Sequence, residues 1–140
     1  MDPIVPYLLL NGNAAEALAF YSKVLDGKIV FQQTYGESPM PAADEMKDKI
    51  MHATMQSDKL MLMISDCPSD RASTNGNSVS LSLNFSSVAS IDKIFAAFSD
   101  GATITMELQD TFWGARFGML TDKFGINWMF NHDKEPKDKI

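Results

Sequence analysis

The chain is poor in the residues that usually announce chemistry. One cysteine, Cys67, stands among 140 residues, so no intrachain disulfide and no CxxC metal or redox motif can form. Only two histidines are present, His52 and His132. Lys and Arg number 12 against 18 Asp and Glu, a formal charge of −6, which argues against nucleic acid or an anionic membrane as partner, since both need clustered basic side chains. Long apolar runs are missing: the stretch after Asp2 is too short for a signal peptide or a spanning helix. A lone thiol fits a reducing compartment, and the expected location is the cytoplasm. There is no G-x-S-x-G nucleophile elbow around Ser57 or Ser65, no P-loop and no dinucleotide fingerprint.

What is present is ordinary globular composition, 45% hydrophobic and 21% charged, in a length that suits one domain. Residues 4–10 are apolar and too few for a buried helix, so they read as a strand. Asn13 is placed to cap a helix, with Glu16 three residues on as in a capping box. Ala17, Leu18, Phe20, Tyr21, Val24 and Leu25 follow at helical spacing, and Gly27 suits the C-terminal cap. Residues 28–35 read as a strand, and 36–49, with Pro39 and Pro41, as a loop that could hold one helical turn near Glu45. Strands at 50–55 and 60–66 form a hairpin.

After a linker at 68–76 the order repeats. A strand at 78–84 leads to a helix through Phe98, capped by Ser87 or Ser90 and ended by Gly101. A strand at 103–108 precedes a hairpin of 113–121 and 126–130 around 122–125, and a polar tail closes the chain at 132–140. The expected fold class is α+β: two tandem βαβββ modules, about 1–67 and 77–131, within one domain, forming a curved mixed sheet around a cavity.

Three segments carry a family resemblance: GNAAEALAFY (12–21), MHATMQSDKLMLMISD (51–66) and LQDTFWGARFGMLTDKFGINWMF (108–130). With their spacing they cover nearly the whole chain. Together they resemble the glyoxalase/bleomycin-resistance (vicinal oxygen chelate) superfamily, in particular its PhnB-like branch, often labelled demethylubiquinone methyltransferase-like. The most specific group is Asp110, Trp113, Gly114, Asp122, Phe124, Gly125 and Trp128. The resemblance implies a ligand cavity and, in the metalloenzymes of the superfamily, a His or Gln on the first strand of each module and a Glu on the last. Counting back from Phe20 and Tyr21 puts the first position on Pro6. The last-strand positions fall on Met63 and Met129, and the remaining one lies near Ser78 or Ser80. Proline and methionine do not replace nitrogen or carboxylate donors for Zn, Ni, Mg or Fe, so no metal and no cofactor is expected. The methyltransferase label finds no glycine-rich nucleotide-binding turn to support it.

Strand alternation turns this into a candidate binding surface. If Met63 and Met129 face inward, Met61, Ser65, Asn127 and Asn131 do so too. Hairpin pairing then sets Met63 opposite His52 and Met129 opposite Gly118, with Thr54, Arg116 and Leu120 on the same face. A slip of one residue reverses each assignment. His52 could serve as a general base or simply finish a strand by a local hydrogen bond. Met51, Met55, Met61 and Met63 could floor a permissive pocket or fill a core. Trp113, beside Phe112, could close over a flat ligand; Arg116 could hold an anion or join a surface ion pair. Trp128, of opposite parity to Met129, belongs under the helices. Residues 36–49 and 112–113 are the expected rim of the pocket.

These readings favour a homodimer that binds a small apolar or aromatic molecule without metal through His52, Thr54, Met61, Met63, Ser65, Trp113, Arg116, Asn127 and Met129. The alternatives are an enzyme, either with non-standard metal ligands or metal-free through His52, and a pure interaction module.

Overall fold

The computed structural model describes residues 1–134. It comprises two compact units, Met1–Thr74 and a second beginning at Asn75. The first contains β1 (Tyr7–Leu10), α1 (Ala14–Val24), β2 (Lys28–Thr34), β3 (Ile50–Gln56) and β4 (Met61–Asp66). Its sheet order is β1-β4-β3-β2, with β1 parallel to β4 and the other pairs antiparallel. The second repeats the plan with β5 (Leu81–Asn84), α2 (Val88–Ser99), β6 (Thr103–Asp110), β7 (Ala115–Thr121) and β8 (Asn127–Asp133), in the order β5-β8-β7-β6. Two βαβββ modules, α+β in class, are therefore present. None of the helices among the described residues is long and apolar enough to cross a membrane.

Each helix packs on one face of its own sheet. In the first unit Ala17, Leu18 and Tyr21 of α1 are buried with Leu8, Leu10, Ala53, Met55, Leu62 and Ile64. Aromatic rings fill the second core: Phe98 lies 5.0 Å from Trp128 and 5.3 Å from Phe130, and Phe95 meets Phe130 edge-on at 5.0 Å. Trp128 is fully buried under α2, as its parity predicts.

The start of α1 is held differently from the expected capping box. Asn13 accepts no capping hydrogen bond. Instead Asp66, at the end of β4 and 1% exposed, accepts from the backbone N–H groups of Gly12 (2.8 Å) and Ala14 (2.9 Å) through Oδ1 and of Ile50 (2.9 Å) through Oδ2. A carboxylate at the positive end of a helix is well placed electrostatically, and here it also anchors the first residue of β3. The other end of α1 departs from expectation too. Asp26 takes the left-handed conformation (φ 51°), and Gly27 is needed because a Cβ there would overlap the Met55 sulfur. In α2, Ser87 is the cap, accepting from the Ser90 N–H.

The connection 36–49 holds two 3-10 turns, Tyr35–Glu37 and Asp44–Met46, the second where a turn near Glu45 is expected. It is tied at its base. The Tyr35 and Gly36 amides donate to the carbonyls of Lys49 and Lys47, the Lys49 ammonium donates to the Gly12 carbonyl, and the Tyr35 hydroxyl donates to the Asp66 carbonyl at 2.7 Å. Burial, then the nearby Cys67 and Asp66, push the Tyr35 phenol above its ordinary pKa.

The two hairpins differ in length, and neither matches the four-residue loops 56–59 and 122–125. In the first, Gln56 pairs with Met61 and the Ser57 amide donates to Leu60. In the second, Thr121 pairs with Asn127 across a loop one residue longer. That loop is built on Asp122, whose side chain accepts from the amides of Phe124 (2.8 Å) and Ile126 (3.0 Å) and from the Trp128 indole (2.8 Å). The expected tail at 132–140 begins too early, since β8 continues to Asp133, and the rest of it from 135 lies outside the described residues.

Substitutions at two positions test this framework. Asp66→Ala leaves three amides without their carboxylate and should cost on the order of 3–5 kcal/mol in urea unfolding, with Asp66→Asn intermediate. Gly118→Ala would bring its Cβ within 2.8 Å of the Phe95 ring and 3.0 Å of the Leu108 Cα. It should cost roughly 1–3 kcal/mol by the same measurement; a neutral outcome would contradict the register that turns Gly118 toward α2.

Candidate functional site

The helix-free face of the first sheet gathers most of its candidate residues. Tyr7 of β1 pairs with Met63, and Leu9 with Ser65, while Thr54 of β3 also pairs with Met63 and Gln56 with Met61. Alternation therefore sets Tyr7, Leu9, His52, Thr54, Met61, Met63 and Ser65 on one face, joined by Phe31, which pairs with Thr54, and Gln33, which pairs with His52. Met63 does not lie opposite His52. The hairpin turns later than a loop of 56–59 implies, which moves the partner by two residues to Thr54 and preserves the face. The methionine cluster divides: Met55 is core, whereas Met61 and Met63 are half-buried on this face.

His52 is the centre of the arrangement. Its Nδ1 is 2.9 Å from the Tyr7 hydroxyl, a hydrogen bond between β1 and β3 that passes over β4. Its Nε2 is 3.4 Å from the Thr54 hydroxyl. The Tyr7 ring lies 5.5 Å from the imidazole and the Phe31 ring 5.8 Å, tilted by 30° and 42°. Thr54 and Ser65 are buried, while Tyr7 remains 45% exposed and Leu9 and Phe31 are likewise exposed. A polar pair thus stands on an apolar floor with rings beside it, an arrangement suited to a flat molecule carrying one hydrogen-bonding group.

The second sheet corrects more of the expected surface. Met129 pairs with Met119, not Gly118, because the Asp122 loop is one residue longer than a four-residue turn. Arg116, Gly118 and Leu120 consequently face α2, and Phe117, Met119 and Thr121 share the face of Met129. Arg116 donates to Asp92 of α2 at 2.7 Å and to Asp110 at 3.1 Å, and Asp110 also meets Lys134 at 2.8 Å. The hydrogen bond to Asp92 is the main reason the guanidinium pKa is raised. The bond from Lys134, then that from Arg116, lowers that of Asp110. Arg116 is committed to this network and to the helix side of the sheet.

Asn127 is occupied in its turn, donating to the Gly76 and Val79 carbonyls and accepting from Thr121. Asn131 donates to Asp133 at 3.3 Å and meets Asn84 at 3.5 Å. Trp113 is partly exposed in the turn before β7, 5.0 Å from Phe112 and 6.2 Å from Phe117. Phe112 is 97% exposed. His132 lies in β8, its Nδ1 donating to the Phe85 carbonyl at 2.9 Å.

Tyr7, Leu9, Phe31, Phe117 and Met119 escaped the sequence reading. The burial of Leu8 and Leu10 is the signal for the first two, since alternation then turns Tyr7 and Leu9 to the opposite face. The same register revises the positions where metalloenzyme relatives carry donors. Beside Met63 stands Tyr7, not Pro6, and beside Met129 stands Ser82, not Ser78 or Ser80. Neither pair supplies an imidazole or a carboxylate, and among the described residues no three His, Cys, Asp or Glu side chains converge as a metal site. Asp66 and Asp110 do not complete one with His52, being held by backbone amides and by Arg116 with Lys134. These donors do not fit a Zn, Ni or Fe ion.

Comparison with known proteins agrees with this architecture. The chain is 40% identical to protein PA1353 from Pseudomonas aeruginosa, whose crystal structure superposes with a TM-score of 0.88 over 96% of this chain and 100% of that one. It is 26% identical to the PhnB protein from Bacillus cereus, at a TM-score of 0.81 over 94% and 99% of the two chains. Protein YjdN from Escherichia coli K12 is 33% identical across 95% of this chain and 97% of its own. Residues 3–130 match the family described as the Glyoxalase/Bleomycin resistance protein/Dioxygenase superfamily. With both modules, their strand order and nearly the full length in agreement, the chain belongs to that superfamily and has PhnB-like relatives.

Proposed function

We propose that this protein binds a small apolar or aromatic molecule on the helix-free face of its first sheet, without a metal ion, and that it works as a homodimer in the cytoplasm. The observation that carries the reading is the Tyr7–His52 hydrogen bond set among Phe31, Met61 and Met63. Exposed aromatic and aliphatic side chains gathered around one polar pair are what a flat ligand requires, and methionine adapts its shape to the occupant. Metal independence is supported by the donor types at Tyr7, Met63, Ser82 and Met129. The free Cys67 supports a reducing compartment, and the exposed apolar residues Ile29, Val30 and Phe31 on edge strand β2 support pairing of copies. The exposed Met40 supports a rim contributed by 36–49 within the first unit.

A second reading is a metal-free catalyst with His52 as base, favoured by the contact that orients its ring through Nδ1.

Screening flat aromatic compounds by thermal shift should find ligands that raise the melting temperature, and raise it further the tighter they bind. His52→Ala should weaken such binding about tenfold, roughly 1.4 kcal/mol, with little effect on the melting temperature of the free protein. The opposite pattern, lost stability with unchanged binding, would make His52 a structural residue. Protein purified without added metal should hold far less than one equivalent of Zn, Ni or Fe by elemental analysis. Stoichiometric metal, lost on substituting His52 and Met63 together, would overturn metal independence, and a monomer by light scattering at micromolar concentration would overturn the dimer.

A further inference from the structure

We infer that the Tyr7–His52 pair takes the acidic hydroxyl of a phenol or enol, binding it as the oxyanion after moving its proton to His52. This rests on the small-molecule reading above and specifies the chemical class of the ligand. The imidazole has two addressed nitrogens. Nδ1 is satisfied at 2.9 Å by the Tyr7 hydroxyl, and Nε2 has only the long 3.4 Å contact to the Thr54 hydroxyl, which a better partner can replace. In the tautomer with hydrogen on Nδ1, that N–H donates to the Tyr7 oxygen and the Nε2 lone pair is the basic site. A ligand O–H donates to Nε2, its proton crosses, and the O–H electron pair stays on the ligand oxygen. The product is an imidazolium with two donors, Nδ1–H to Tyr7 and Nε2–H to the oxyanion. No proton is left over and none is needed.

Tyr7 suits this step because a hydroxyl both donates and accepts, so it stays a partner of His52 whichever tautomer or charge the ring carries. The rings of Tyr7 and Phe31, at 5.5 and 5.8 Å, lie within the distance at which an aromatic ring attracts a cation and also offer flat surface to the ligand. Met61 and Met63 on the same face bring no charge to compete with the oxyanion. Asp66, the acid on the neighbouring strand, points to the other face with both oxygens engaged by amides. A neutral apolar ligand would leave Nε2 without a better partner than Thr54, whereas an acidic hydroxyl supplies one.

The test compares 4-nitrophenol with nitrobenzene, which has the same ring and nitro group without the hydroxyl. Binding is followed by calorimetry and ionisation by the visible absorbance of nitrophenolate. The expected result is that 4-nitrophenol binds with its apparent pKa lowered by about one unit, a tenfold preference for the phenolate. His52→Gln should abolish that shift and Tyr7→Phe should reduce it severalfold, and in each variant nitrobenzene, which has no proton to give, measures the loss of ring contact alone. Equal binding of the two probes with no absorbance change would overturn the proton transfer while leaving the apolar site intact. A shift that persists in His52→Gln would overturn the role of His52, and one unaltered in Tyr7→Phe would overturn that of Tyr7. Saturable binding of neither probe would overturn this inference and the small-molecule reading together.

Discussion

One buried carboxylate joins most of the first module. Asp66 ends β4, and its two oxygens hold the amides that precede and begin α1 together with the amide that begins β3. Secondary structure leaves such terminal amides without partners, and burying them unpaired is costly. Meeting three with a single side chain fixes the entry of the helix relative to β3 and β4. The face carrying Tyr7, His52 and Met63 inherits its register from that arrangement. The Asp66 carbonyl extends the same junction to Tyr35 and so to the base of the 36–49 connection.

The second module reaches the same topology by another device. There Asp122 sits in the hairpin loop and not at a strand end, and it gathers two loop amides and the Trp128 indole. The repeat is thus one of strand order and packing. Its polar anchors are not repeated. The two helix-free faces differ accordingly. The first carries an imidazole and a phenol, the second Thr121, Asn127 and Asn131, engaged with backbone and with other side chains.

Hydrophobic alternation and helical spacing made the element order legible, and the parity of Trp128, Met61, Met63 and Ser65 with it. Pairing was less legible. Loop length decides which residues oppose one another, and the second hairpin owes its extra residue to hydrogen bonds made by the Asp122 side chain. That one residue carried Arg116 and Leu120 to the helix side and brought Phe117 and Met119 in their place. Counting from a motif placed Pro6 where the sheet has Tyr7 for a similar reason: β1 pairs with β4 in parallel, and nothing local in the first ten residues specifies that register. The contact between Tyr7 and His52 joins residues far apart in sequence, beyond the reach of any spacing rule.

The parallel pairing of β1 with β4, and of β5 with β8, has a kinetic consequence. Each sheet is completed by its first and last strands, Tyr7 beside Met63 and Leu81 beside Trp128. On a ribosome, β1 emerges with no partner and waits until nearly all of its module has been made. Loop-closure entropy is charged before those long-range contacts form, so sheets of this kind assemble more slowly than helices or hairpins. The hairpins β3–β4 and β7–β8 can close locally while the amino-terminal strand of each module docks late. The nascent chain therefore carries the strand bearing Tyr7 and Leu9 unpaired for much of its synthesis, and that interval is when the exposed apolar residues of this fold are most open to capture by a chaperone or by another copy.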